Sequence, residues 1–352
     1  MNNSEPGLYN PFFSHIYIEK EVQNHPVTQR ITARFPGAVL VEIDHYKDVF
    51  NRSRQNYRIQ KQSQALILAR KQNNLIYEGA PVCQSFGNQH FYYTSSVMNC
   101  IYDCEYCYLQ GMYPSAHLVV FVNTEDIFEE VEQLLSRHPV YLCVSYDTDL
   151  LALEQVLGLV REWIAFASSH QELTLEIRTK SAGQYLFEEL KPLPNVIFAW
   201  TLSPRRVVEG FEHHTPSLHS RLAAARAAAD KGHRVRLCFD PLIYFKGWEE
   251  AYQTMLTEVF DKINPVQVMD VSLGVFRISQ NYLKRMRNQA VNSQLAHFPY
   301  VNDNGVYHYG KELTNQLISF LLERMKEHIP REKIFLWEEA AHDQDIEIGR
   351  MG

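Results

Sequence analysis

The stretch Met98-Asn-Cys-Ile-Tyr-Asp-Cys-Glu-Tyr-Cys-Tyr-Leu-Gln110 decides how the rest of the chain is read. It places Cys100, Cys104 and Cys107 in a CxxxCxxC spacing on one short loop. Three thiolates suit a [4Fe–4S] cluster with one iron left open, because no fourth protein donor lies nearby. Structural zinc wants four closed ligands, and the local sequence supplies three. A zinc knuckle or a set of redox thiols are the rival readings.

Downstream of this loop, short apolar runs alternate with helical patterns. Strands are expected at Leu118–Val122, Val140–Tyr146, Leu173–Thr179, Asn195–Leu202, Arg234–Asp240 and Pro265–Leu273. Between them, helices are expected at Leu150–Ala167, Ala182–Leu190, Leu218–Lys231 and Trp248–Ile263, with a further one opening at Thr124-Glu-Asp. Gly232 is a natural stop for the alanine-rich helix. Repeated β–α units imply a parallel sheet with helices outside, and about six of them fit a partial (β/α) barrel better than a complete one. Chemistry is then expected at the carboxyl ends of the strands. Thr148, Lys180 and Thr201 fall at or just past three successive strand ends, and Asp240 ends a fourth.

The 352 residues, 45% hydrophobic and 21% charged, allow one large domain or two ordinary ones and exclude general disorder. We expect an N-terminal α/β extension over 1–88, the barrel over 89–276 and a hairpin and helices over 277–352. No apolar run is long enough to span a bilayer. The start, Met1-Asn-Asn-Ser-Glu-Pro-Gly-Leu8, has neither the basic nor the apolar region of a secretory signal. Six cysteines, three at metal spacing, read as reduced thiols of a cytoplasmic protein. A formal net charge of −7 argues against a general nucleic-acid coat but leaves room for a local basic groove. Arg205-Arg206, the group Lys284, Arg285 and Arg287, and the basic, Gln-rich stretch Arg52–Lys71 are the uneven features. The polar end, Trp337 to Gly352, is expected to fray.

Tyr106, just before the last cysteine, gives the loop the CxxxCx(aromatic)C form that resembles the radical S-adenosylmethionine (SAM) superfamily. Within it, the chain resembles the spore photoproduct lyases. The resemblance runs from about Ile16 to Lys311. It rests on the cysteine loop, Val120-Phe-Val-Asn-Thr-Glu-Asp-Ile127, His214-Thr-Pro-Ser-Leu-His-Ser-Arg-Leu-Ala-Ala-Ala-Arg226, Asp240-Pro-Leu-Ile-Tyr-Phe-Lys-Gly-Trp248 and Tyr307-His-Tyr-Gly-Lys311. It implies a partial (β/α)6 TIM-like barrel of the radical SAM type, with a [4Fe–4S] cluster and SAM as cofactors. The implied partners are ultraviolet-damaged DNA and a reducing electron donor such as flavodoxin or ferredoxin. The implied reaction opens 5-thyminyl-5,6-dihydrothymine to two thymines through a 5′-deoxyadenosyl radical. By the same resemblance Tyr106 and Tyr108 stand near the adenine and the lesion. Thr148, Lys180 and Thr201 hold SAM, and Asp240 reaches the ribose hydroxyls.

The chain departs from the family at two places. Most members return the hydrogen from a cysteine in a Cys-Thr-Ser-Asp run, where this chain has Tyr146-Asp-Thr-Asp149. Strand alternation puts the nearby Cys143 on the opposite face from Tyr146. Cys238 shares a face with Asp240, one pleat deeper. Cys83, in an irregular segment upstream of the cluster loop, is the expected hydrogen donor, with Tyr146 or Tyr106 relaying. The second departure is Val306, where members carry an arginine on a DNA-wedging hairpin. Tyr307 keeps the aromatic, and His308, Lys311 and the Lys284 group are the remaining phosphate contacts. Rival readings are a radical SAM paralogue acting on another lesion or base, and a non-enzymatic iron–sulfur DNA-binding protein.

Overall fold

A computed structural model describes residues 13–79, 83–290 and 292–337. The N-terminal Met1–Leu8 run and the polar end after Trp337 lie outside the described residues. Six consecutive parallel strands form the centre: Phe91–Tyr93, Val140–Cys143, Leu173–Thr179, Val196–Thr201, Arg234–Leu242 and Val268–Val275. Ile334–Leu336 adds a parallel strand at one edge and Tyr77–Glu78 an antiparallel one at the other, giving an eight-stranded sheet curled as a half-barrel.

Alternation along these strands explains both faces. Val140 and Leu142, Leu173 to Ile177 by twos, Phe198 and Trp200, Val235 to Phe239 by twos, and Val271 and Leu273 pack outward in one core with Trp163, Leu222 and Ala225 of the covering helices. The opposite positions turn Tyr141, Glu176, Arg236 and Asp270 inward. There Arg236 donates to Asp270 (Nη2 to Oδ2, 2.8 Å), to Glu176 and to the Tyr141 hydroxyl (2.6 Å). A buried arginine with this many acceptors is satisfied, which is the condition for charge in a barrel interior.

Leu118–Phe121 is not the first barrel strand. It lies between Leu66–Ala69 and Val97–Met98 in a separate sheet with His15–Glu19 and Val39–Ile43. A four-residue apolar run announces a strand but not its neighbours, and the position is taken by Phe91–Tyr93. The expected helix over 150–167 is split at Gly158 (φ 71°) into Glu154–Leu157 and Leu159–Ser168. The one over 182–190 shrinks to Leu186–Glu189. Arg277–Ser279, Val306–His308 and Val301–Asp303 make a small antiparallel sheet. Its two-residue turn, Asn304-Gly305, has φ of 48° and 87°, the left-handed pair that a tight hairpin requires. Among the described residues no helix is long and apolar enough to cross a membrane.

Candidate active site

The cysteine loop is held from two sides. On one, Glu212–His213 pairs antiparallel with Asp103–Cys104, and the Glu105 N–H donates to the Phe211 carbonyl at 2.7 Å. On the other, Lys61 Nζ donates to the carbonyls of Cys100 and Tyr102, both at 2.6 Å, and Gln64 Nε2 reaches Cys100 O at 3.1 Å. Between them the three thiols face a cavity of about 540 Å³ at the carboxyl ends of the barrel strands. Its wall also carries Tyr106, Tyr108, Thr148, Lys180, Thr201 and Asp240, so the cluster and SAM positions expected from sequence converge.

The pairing with the loop rests on Glu212 and Arg221, both absent from the expected site residues. Arg221 is fully buried and donates to Glu212, to Thr215 Oγ1 (2.7 Å) and to the Thr201 carbonyl (3.2 Å). Glu212 also accepts from Ser203 Oγ at 2.8 Å and from the Tyr106 hydroxyl. Burial opposes its ionisation, but Arg221 and Lys180 outweigh that and pull the carboxyl down to about 2. The run from His214 to Arg226 therefore tethers the cluster loop to the barrel. Tyr106 is part of that tether, its hydroxyl committed to Glu212 and not turned toward Cys83.

The donor set fits the implied cofactors. Cys100, Cys104 and Cys107 are free thiols. Burial pushes Cys100 up to about 11 and raises Cys104 and Cys107, so thiolates here call for a bound cation. All three line the one cavity, the arrangement that a cluster ligated by three cysteines would ask for. Lys180 has burial working against its charge, but Cys104 and Glu212 hold it protonated, and its ammonium lies 5.3 Å above the Tyr106 ring. Among the described residues, Thr148 Oγ1 on the cavity wall is a buried hydroxyl with no hydrogen-bond partner, the kind of group a ligand satisfies. Asp149 holds the wall behind it, accepting from Thr179 Oγ1 (2.8 Å) and the Lys180 N–H (2.7 Å).

Cys83 and Tyr146 meet in the same cavity, with Sγ 2.8 Å from Oη. Phe86 anchors this segment, its ring 3.3 Å from the Arg236 guanidinium, and Gln84 Nε2 donates to the Leu336 carbonyl at 2.8 Å. Tyr146 stacks on Tyr93 (4.1 Å), and Tyr108 donates to the Tyr146 carbonyl (2.8 Å). Burial keeps both members protonated: it raises Cys83 against the Tyr146 hydrogen bond, and it raises Tyr146 together with the Cys83 charge. The expectation that Cys143 points away is wrong, since it lines the cavity too. Its strand ends at Cys143 and the chain bends beyond it, so alternation cannot be carried on to Tyr146. Cys238 lies deeper, 3.6 Å from Arg178 Nη2.

At the far rim Val306, Ile278 and Tyr282 line the cavity. Lys311 is exposed at the start of the helix Lys311–Met325, and Tyr307 lies under Arg287 (5.8 Å). His308 is corrected: it is 4% exposed and its Nδ1 accepts from the Gly310 N–H, so it is turned into the hairpin base. Two arginines that the sequence reading passed over, Arg178 and Arg277, line the same cavity. Arg178 was legible as the period-two partner of Lys180. Arg277 Nη1 donates to Asp240 Oδ1 at 3.3 Å and its guanidinium stacks 4.0 Å from the Trp337 ring. Asp240 fits because Gly274 has no side chain: a Cβ there would lie 2.6 Å from its carboxyl carbon. Gly274→Ala should push Asp240 aside and weaken SAM binding in equilibrium dialysis, with far less effect on the iron content.

The spore photoproduct lyase family model matches residues 13–335. A spore photoproduct lyase of Geobacillus sp. (strain Y412MC61) is 24% identical over 182 residues, 51% of this chain and 53% of the relative. One from Clostridium acetobutylicum (strain ATCC 824) is 20% identical over 245 residues, 65% of this chain and 71% of the relative. The chain thus spans about half the length of the first of these curated relatives. Among solved structures, a spore photoproduct lyase complexed with dinucleoside spore photoproduct superimposes with a TM-score of 0.79 at 19% identity, covering 94% of this chain and 99% of that one. A variant with a cysteine-to-alanine and a serine-to-cysteine change, with bound AdoMet and dinucleoside spore photoproduct, gives 0.78 at the same identity and coverage.

Proposed function

Because the chain belongs to the spore photoproduct lyase family, we propose that it is a radical SAM lyase that returns 5-thyminyl-5,6-dihydrothymine in ultraviolet-damaged DNA to two thymines. One observation carries this reading: a single cavity gathers the three-cysteine loop, the Thr148–Lys180–Thr201 wall and the Cys83–Tyr146 pair. With a [4Fe–4S] cluster on Cys100, Cys104 and Cys107 and SAM beside it, these cofactors would supply a 5′-deoxyadenosyl radical that takes a hydrogen atom from C6 of the lesion. A carrier such as flavodoxin or ferredoxin would provide the electron, in keeping with reduced thiols and a cytoplasmic setting.

Lys180 offers a fixed cation to the SAM carboxylate. Thr148 and Thr201 supply hydroxyls beside it, and Asp240, held by Arg277, presents its other oxygen to the ribose. Once the methylene bridge has broken, a thymine allyl radical remains. Cys83 returns a hydrogen atom to it: the S–H bond breaks, a C–H bond forms and a thiyl stays on sulfur. Tyr146, 2.8 Å away, passes its hydroxyl hydrogen to that thiyl and takes the radical onto its ring. One electron from the carrier and one proton from solvent then restore the phenol. A thiolate has no hydrogen atom to give, so burial that keeps Cys83 protonated serves the step. Tyr307 and Lys311 would face the duplex beside the extruded lesion.

A second reading keeps the chemistry and changes the lesion, and Val306 on the cavity rim favours it. Anaerobic turnover of the dinucleotide photoproduct with SAM and dithionite separates the two. We expect thymidine products and 5′-deoxyadenosine together. Deoxyadenosine without thymidine products would point to another lesion, and neither would sink the radical chemistry.

A further inference from the structure

Between Asp48 and Glu78 the chain carries six lysines and arginines and no acid, in a protein of formal net charge −7. The fold absorbs two of them. Lys71 is buried with Nζ on the Ser95 carbonyl at 3.2 Å, and Arg70 pairs with Asp126. The other four, Arg52, Arg54, Arg58 and Lys61, lie on a turn and on the helix Tyr57–Gln62 beside the cysteine loop. Among the described residues Arg52 Nε donates to a backbone carbonyl, that of Asp48, and none of Arg52, Arg54 and Arg58 forms an ion pair. All three arginines are exposed, and Ile59 stands beside them at 64% exposure.

The inner side of the same helix is bolted to the cluster loop. Tyr57 is 5% exposed, and the Lys61 ammonium lies 5.9 Å from its ring centre. Lys61 donates to the Cys100 and Tyr102 carbonyls. The basic outer face and the three thiols are thus two sides of one wall. No residue from 52 to 61 lines the cavity, so a lesion entering it meets the hairpin at Val306 and not this face.

We propose that the face formed by Arg52, Arg54, Arg58 and Ile59 docks a small acidic, low-potential one-electron carrier protein. The inference rests on the reading above, in which the thiols hold a [4Fe–4S] cluster. Electron-transfer complexes are small, weak and steered by charge, and cations around one exposed apolar side chain supply both steering and a dry centre. One electron leaves the carrier's reduced flavin, which becomes its semiquinone, and the cluster behind Tyr57 and Lys61 gains it. A duplex would instead ask for a basic stripe continuous with the hairpin.

The test uses the reconstituted holoenzyme, flavodoxin hydroquinone as probe and the triple variant Arg52→Glu, Arg54→Glu, Arg58→Glu. Stopped-flow absorbance should show the second-order rate of cluster reduction falling roughly tenfold or more at low salt. The variant should also lose most of the salt dependence of that rate, since screening acts on the removed charges. Reduction by dithionite should be unchanged. Surface plasmon resonance on immobilised flavodoxin should show the matching loss of binding, and the Arg→Lys triple variant should keep it. Unchanged rate and binding would overturn the proposal, as would an equal loss of affinity for irradiated duplex DNA. A wild-type chain that takes up no [4Fe–4S] cluster fails the earlier reading; one that dithionite reduces while flavodoxin ignores the charge reversal fails only this one.

Discussion

Cys83→Ala should leave 5′-deoxyadenosine formation in place while clean thymine yield falls by at least an order of magnitude. The lost group stands after the radical has formed, so hydrogen abstraction and bridge scission do not need it. The allyl radical is then quenched by whatever reductant is at hand, and adducts with dithionite-derived species should appear by mass spectrometry. The Sγ to Oη distance of 2.8 Å makes the companion test sharp. Tyr146→Phe keeps the first hydrogen return but removes the relay, so a first turnover should be normal and later ones slow. Clean repair by Cys83→Ala would move the donor elsewhere, and Cys143, on the same cavity wall, is the next thiol to replace.

Arg221→Leu should destabilise the protein by about 3–5 kcal/mol in denaturant unfolding, the usual result of leaving one buried charge without its partner. Glu212 and Arg221 both have fully buried side chains, so solvent cannot take over the lost interaction. Iron content should fall too, because Glu212 anchors Tyr106 and its strand pairs with Cys104. The double change with Glu212→Leu should recover much of the stability, which tests the pair and not the size of either residue. Its pH dependence follows in sign. The folded carboxyl sits at about 2, below its ordinary value near 4.3. The pair's contribution is therefore present above that ordinary value and is lost as pH falls toward 2.

Much of the half-barrel was legible because its strands are local apolar runs and its helices carry local stop signals. The alanine-rich helix was expected over 218–231 and is found at Leu218–Asp230; the next, expected over 248–263, is found at Trp248–Lys262. The miss at Leu118–Phe121 came from pairing, which depends on residues more than fifty positions away in Leu66–Ala69. Cys143 was misplaced for a related reason: alternation is a property of an extended strand, and this one stops at the residue in question.

The sequence by itself determined the three-thiol spacing, the strand-end positions of Thr148, Lys180 and Thr201, and the family. These are properties of neighbours along the chain, or of motifs whose residues are quoted in order. Tertiary structure alone decided that Cys83 lies against Tyr146, sixty-three residues on, and that Arg236 holds Phe86 and with it that loop. It alone turned a fully buried Arg221 and Glu212 into the tether of the cysteine loop. The physical reason is that a buried charge or a packed ring is satisfied by whichever partner the fold brings within hydrogen-bond reach, and distance along the chain does not encode that.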